Sequence, residues 1–84
     1  MKLNRSERAV LTIVRDHPGS TAEDVAWHLA MEGVDWGLNM TRRALRTLTH
    51  REWLHREPRK NNAVTMGRRP FHYKLTEAGR RALN

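Results

Sequence analysis

The stretch "FHYKLTEAGRRAL", Phe71 to Leu83, changes its period half-way along. Phe71, Tyr73 and Leu75 alternate with His72 and Lys74, so a strand here carries three apolar side chains on one face. Thr76 breaks the alternation, and "TEAGRRAL" reads as a short helix over about 77–83 with Thr76 as its cap. A half-buried strand needs a partner. The alternating "WLHRE" from Trp53 supplies one. Between the two lies "PRKNNAVTMGRRP", bracketed by prolines and holding two asparagines and a glycine. The spacing predicts a hairpin over about 53–75 with a long, polar, basic tip.

Upstream the period is helical. "NMTRRALRTL", Asn39 to Leu48, opens a helix expected over about 39–52. On a wheel of about 100° per residue, Thr41, Ala44, Leu45 and Leu48 share one side. Asn39, Arg42, Arg43, Arg46 and His50 fall on or near the other, with Met40 and Thr47 at the flank. "STAEDVAWHLAMEG" predicts a helix over about 22–32. Ser20 or Thr21 is its cap, Glu23 or Asp24 closes the box, and Gly33 ends it. "LNRSERAVLTIVRDHPG" predicts a first helix over about 5–16, capped by Asn4 with Glu7 and stopped at His17-Pro18-Gly19. Trp36, in the short connection "VDWGL", is expected to plug into the core. Trp27 and Trp53 are expected there too, rather than stacked on single-stranded bases.

Helix, helix, helix, strand, loop, strand, helix is the order of a winged helix-turn-helix. The expectation is therefore an α+β, mostly helical fold: one domain over 1–84, with a three-helix core, a two-stranded wing and a short C-terminal helix. Eighty-four residues suit one small domain.

Charge sharpens the functional reading. The net charge is +7, but residues 1–38 hold four basic and six acidic side chains. Residues 39–69 hold nine basic and two acidic ones. Solubility needs no such clustering, whereas a polyanionic partner does. With no cysteine there is no disulfide and no cysteine-rich zinc site. The N-terminus lacks the apolar stretch of a signal peptide, and no apolar run nears the roughly 18 residues of a membrane span. A cytoplasmic protein is the default expectation. His50, His55 and His72 are too poorly accompanied by carboxylates to suggest a metal site. No phosphate-cradling glycine loop or nucleophile–base pair is legible, so neither an enzyme nor a cofactor is expected.

Three segments carry a resemblance: "TAEDVAWHL", "NMTRRALRTLTHREWLHRE" and "GRRPFHYKLTEAGRRAL". They resemble the winged-helix domains of bacterial and archaeal transcription regulators of the MarR-like and PadR-like groups. In those groups the recognition helix runs into a Gly-aliphatic strand. Trp53-Leu54 stands in that place here, with Glu52 where glycine is usual. The signature G-R-P…Y-x-L-T-x-x-G is matched by Gly67, Arg68, Pro70, Tyr73, Leu75, Thr76 and Gly79, with one extra arginine before the proline. Full-length members usually add dimerising helices, and this chain ends at Asn84. The expectation is a monomer or weak homodimer, able to pair on DNA.

The chemistry of those positions suits double-stranded DNA. A helix about 10–12 Å across fits the major groove. An arginine fork can bond guanine O6 and N7 together, and asparagine can do the same to adenine. The candidate recognition-helix contacts are Asn39, Met40, Arg42, Arg43, Arg46, Thr47 and His50. In the wing, Arg59, Lys60, Asn61, Asn62, Arg68 and Arg69 would reach phosphate or the minor groove. Ser20 and Thr21, at the start of helix 2, are candidates for a phosphate contact. The function expected is sequence-specific DNA binding by a small transcriptional regulator. The alternatives are a winged-helix protein-interaction module and a non-specific or architectural nucleic-acid binder.

Overall fold

The computed structural model describes residues 3–58 and 71–84. Its elements are α1 (Arg5–Asp16), α2 (Ala22–Met31), α3 (Gly37–His50), β1 (Leu54–Pro58), β2 (Phe71–Leu75) and α4 (Glu77–Leu83). The two strands pair antiparallel, and the fold is a winged helix-turn-helix.

The helix starts follow from local hydrogen bonding. Asn4 Oδ1 accepts from Glu7 N at 2.7 Å, and Glu7 Oε1 accepts from Asn4 N at 3.1 Å. Thr21 and Asp24 make the same reciprocal box at α2, at 3.2 and 3.1 Å. Ser20 is not the cap. It is buried, and its hydroxyl donates to His17 O at 2.5 Å. Its backbone pairs with Tyr73, so the turn before α2 forms a one-residue third strand beside β2. α3 begins at Gly37, two residues before the expected start, and ends at His50 rather than 52. Trp36 stands at its N-cap with no side-chain cap bond, so nothing in the sequence marks that start.

Two helix ends share one device. At α2, Gly33 N donates to Ala30 O at 3.1 Å and Val34 N to Leu29 O at 2.8 Å. At α3, Glu52 N donates to Thr49 O at 3.0 Å and Trp53 N to Leu48 O at 3.1 Å. Both are Schellman ends, which need a left-handed residue just past the helix. Gly33 provides it at φ 86° and Glu52 at φ 65°. The position where the resemblance leads one to expect glycine is thus a true left-handed site filled by glutamate.

The core is built from one face of each of the first three helices: Val10, Leu11, Ile13 and Val14 of α1, Val25 and Leu29 of α2, Leu45 and Leu48 of α3. Leu54 and Tyr73 close it from the sheet. Thr41 is fully buried, and its hydroxyl is satisfied by Gly37 O at 2.8 Å. Trp36 and Trp53 pack half-buried against this cluster. Trp27 does not, which corrects the expectation for all three tryptophans. It is 60% exposed, with Met31 one turn on at 69%. Val25 and Leu29 take the inward face of α2, and Trp27 lies some 200° round the helix from Val25.

α4 is fixed by the Leu-Thr-x-x-Gly signature. Thr76 Oγ1 donates to Glu52 O at 2.6 Å and accepts from Gly79 N at 3.0 Å. Gly79 lies against Trp53 O, where a Cβ would overlap that carbonyl oxygen and sit 2.8 Å from Leu75 Cδ1. The turn after α3 and the start of α4 therefore lock together.

Candidate nucleic-acid interface

The core-facing side of α3 determines what its other side presents. Thr41, Leu45 and Leu48 are buried, with Leu38, Ala44 and Thr49 half-buried beside them, so the opposite side faces outward. Asn39, Met40, Arg42, Arg43, Arg46, Thr47 and His50 are all exposed. Asn39, Arg43, Arg46 and His50, at offsets of 4, 7 and 11, form the outermost strip, with Met40 and Thr47 along one flank and Arg42 on the other. Thr47 Oγ1 donates back to Arg43 O at 3.1 Å. Among the described residues, no carboxylate pairs with Arg42, Arg43 or Arg46. The strip thus presents three arginine forks and an asparagine along a helix about 21 Å long.

Several other basic groups are engaged within the fold. Arg51 reaches Glu7 at 3.4 Å and stacks on Trp53 at 5.5 Å. On the outer face of the hairpin stem, Glu57 holds Lys74 at 3.5 Å and His55 at 3.8 Å. His72 Nδ1 lies 2.7 Å from Gly19 O, and His17 stacks on His28 with centroids 4.2 Å apart. Among the described residues, no three His, Cys, Asp or Glu side chains form a metal-binding group.

The remaining expected positions divide. Arg59, Lys60, Asn61, Asn62, Arg68 and Arg69 lie outside the described residues. Ser20 is buried beside β2, and Thr21 donates its N–H to Asp24 Oδ2 while its hydroxyl accepts from Asp24 N. The carboxylates of Glu23 and Asp24 also occupy the first turn of α2. The Ser20 hydroxyl and the Thr21 N–H therefore already donate within the fold, beside two carboxylates. One basic residue was passed over in the sequence. Arg56, on β1, is exposed and stacks on Phe71 of β2 at 4.4 Å. The register of the hairpin puts Arg56 and Phe71 on one face, a relation that the sequence pattern alone does not fix.

A family model described as Replication-relaxation matches residues 11–84. The chain belongs to the Replication-relaxation family. Among solved structures it is similar to Streptococcus pneumoniae FabT in complex with DNA, with a TM-score of 0.78 at 17% identity over 96% of this chain and 50% of that one. It is similar also to E. coli MarR in its apo form, with a TM-score of 0.77 at 21% identity over 96% and 53%. A third is the PcaV transcriptional regulator of Streptomyces coelicolor, with a TM-score of 0.76 at 22% identity over 98% and 51%. This member of the Replication-relaxation family therefore has the MarR-type winged-helix fold and spans about half the length of those proteins. No protein of curated function matches it in sequence. Among the described residues, no helix is long and apolar enough to cross a membrane.

Proposed function

We propose that this chain is a sequence-specific double-stranded DNA-binding domain of a small transcriptional regulator, and a binding protein rather than an enzyme. The observation that carries the reading is the outer strip of α3. Its inner face is packed, its outer face holds Asn39, Arg43 and Arg46, and no described carboxylate neutralises the arginines. Inserted in a major groove, this strip offers bidentate donors to guanine and an amide to adenine. Arg42 and His50 border the phosphates, and Met40 and Thr47 offer apolar contact to thymine methyls. The wing residues Arg59, Lys60, Asn61, Asn62, Arg68 and Arg69 extend the basic field to the flanking backbone or minor groove. The DNA-bound state of FabT supports the reading through shared fold alone. The chain acts as one winged-helix domain, monomeric or weakly dimeric in solution. Selection of bound duplexes from a random pool tests it, and a recovered motif is the expected result.

A second reading, a winged-helix protein-interaction module, draws on Trp27 and Met31, an exposed apolar strip on the carboxylate-rich α2. If it held, duplex selection would recover no motif, and Trp27→Ala rather than Arg43→Ala would abolish activity.

A further inference from the structure

The start of α2 carries no cation, yet the hairpin brings one alongside it. Arg56 is in register with Tyr73, and Tyr73 pairs with Ser20, the residue before the Thr21 cap. Three segments lie side by side at that level. Strand spacing puts the Arg56 backbone on the order of 10 Å from the start of α2. When the second helix of a helix-turn-helix unit lies in the major groove, the first crosses the DNA backbone. Arg56 then stands near that crossing, with β2 between it and the start of α2.

Its side chain is held for such a contact. Arg56 shares a strand face with Leu54, Tyr73 and Leu75, but it lies beyond the core and is exposed. Phe71 is 39% exposed and is neither in the core nor among the residues packed on it. The guanidinium lies 4.4 Å above its ring. Stacking on one face limits the rotamers of a long side chain and leaves the in-plane N–H groups turned to solvent. Among the described residues, Arg56 has no carboxylate partner, since its neighbour Glu57 is on the opposite face with Lys74 and His55. Arg51, which also stacks on an aromatic, is by contrast paired with Glu7.

We propose that Arg56 is a phosphate anchor of the DNA interface and that Phe71 is its positioning residue. The inference rests on the duplex-binding reading above and adds a sequence-independent contact at the wing root. The full chain is titrated, over a series of salt concentrations, with its selected duplex and with a mixed-sequence duplex. Circular dichroism checks that each variant is folded. Arg56→Ala should lower affinity about tenfold on both duplexes and reduce the salt slope by about one. Phe71→Leu keeps the charge, so it should lose affinity by a smaller factor with the slope unchanged. Arg51→Ala should leave the slope at the wild-type value. If wild type binds and Arg56→Ala matches it in affinity and slope, the anchor is refuted while duplex binding stands. If Phe71→Leu binds like wild type, the positioning role is refuted. If wild type binds neither duplex, the anchor and the reading beneath it fall together.

Discussion

Glu52 is the residue at which local energetics and sequence are most at odds. It occupies a left-handed position that Gly33 fills at the equivalent end of α2. A side chain in that conformation costs about 1–2 kcal/mol, offset in part by the unfolded-state entropy that glycine adds. Glu52→Gly should therefore raise stability by about 1 kcal/mol, and Gly33→Ala should lower it by a similar amount, in paired thermal denaturation. Gly79 is the opposite case, constrained by space rather than by φ. A methyl there meets Trp53 O and Leu75, so Gly79→Ala should cost about 1–3 kcal/mol. Trp27→Ala, on an exposed face, should change stability by less than about 0.5 kcal/mol. A denaturant midpoint far below wild type for Trp27→Ala would show that the ring is buried after all.

Among the elements, α3 is the one proposed to carry the specificity. Arg43→Ala or Arg46→Ala should cost about 1–3 kcal/mol on the selected site and relax preference at one base pair. Lys60→Ala or Arg69→Ala in the wing should weaken all duplexes alike and lower the salt slope by about one. Competition between selected and random duplex separates the two classes. Equal losses on both duplexes for the α3 variants would remove base reading from that helix. The helices were legible because caps and apolar period agree: Asn4 with Glu7, Thr21 with Asp24, and the buried Leu45 and Leu48. The start of α3 was not, because Trp36 supplies no cap bond. The Ser20–Tyr73 bridge was not either, since a one-residue strand has no period to read. Trp27 misled because apolarity says only what prefers burial. It stands opposite Val25 and Leu29, and that geometry outweighs its chemistry.

On the scale of the whole molecule, the charge division and the architecture coincide. Among the described residues no ion pair joins the carboxylates of α2 to the arginines of α3, and the basic strip of the candidate site was visible from the wheel alone. The contribution of Arg56 was not, because it depends on a cross-strand neighbour 15 positions away in the chain. The core uses Val10 and Ile13, and Leu83 packs against it, so little apolar surface on α1 or α4 remains for a large interface. Sedimentation at micromolar concentration should show a 9.9 kDa species. A particle of twice that mass, stable to dilution, would replace the monomer with an obligate dimer. Binding of duplex phosphates by this basic surface is decided by the salt dependence of wild-type binding. If α3 and the wing neutralise roughly six phosphates, log K should fall with log salt at a slope near −5. A slope near zero would mean that this surface does not bind duplex phosphates.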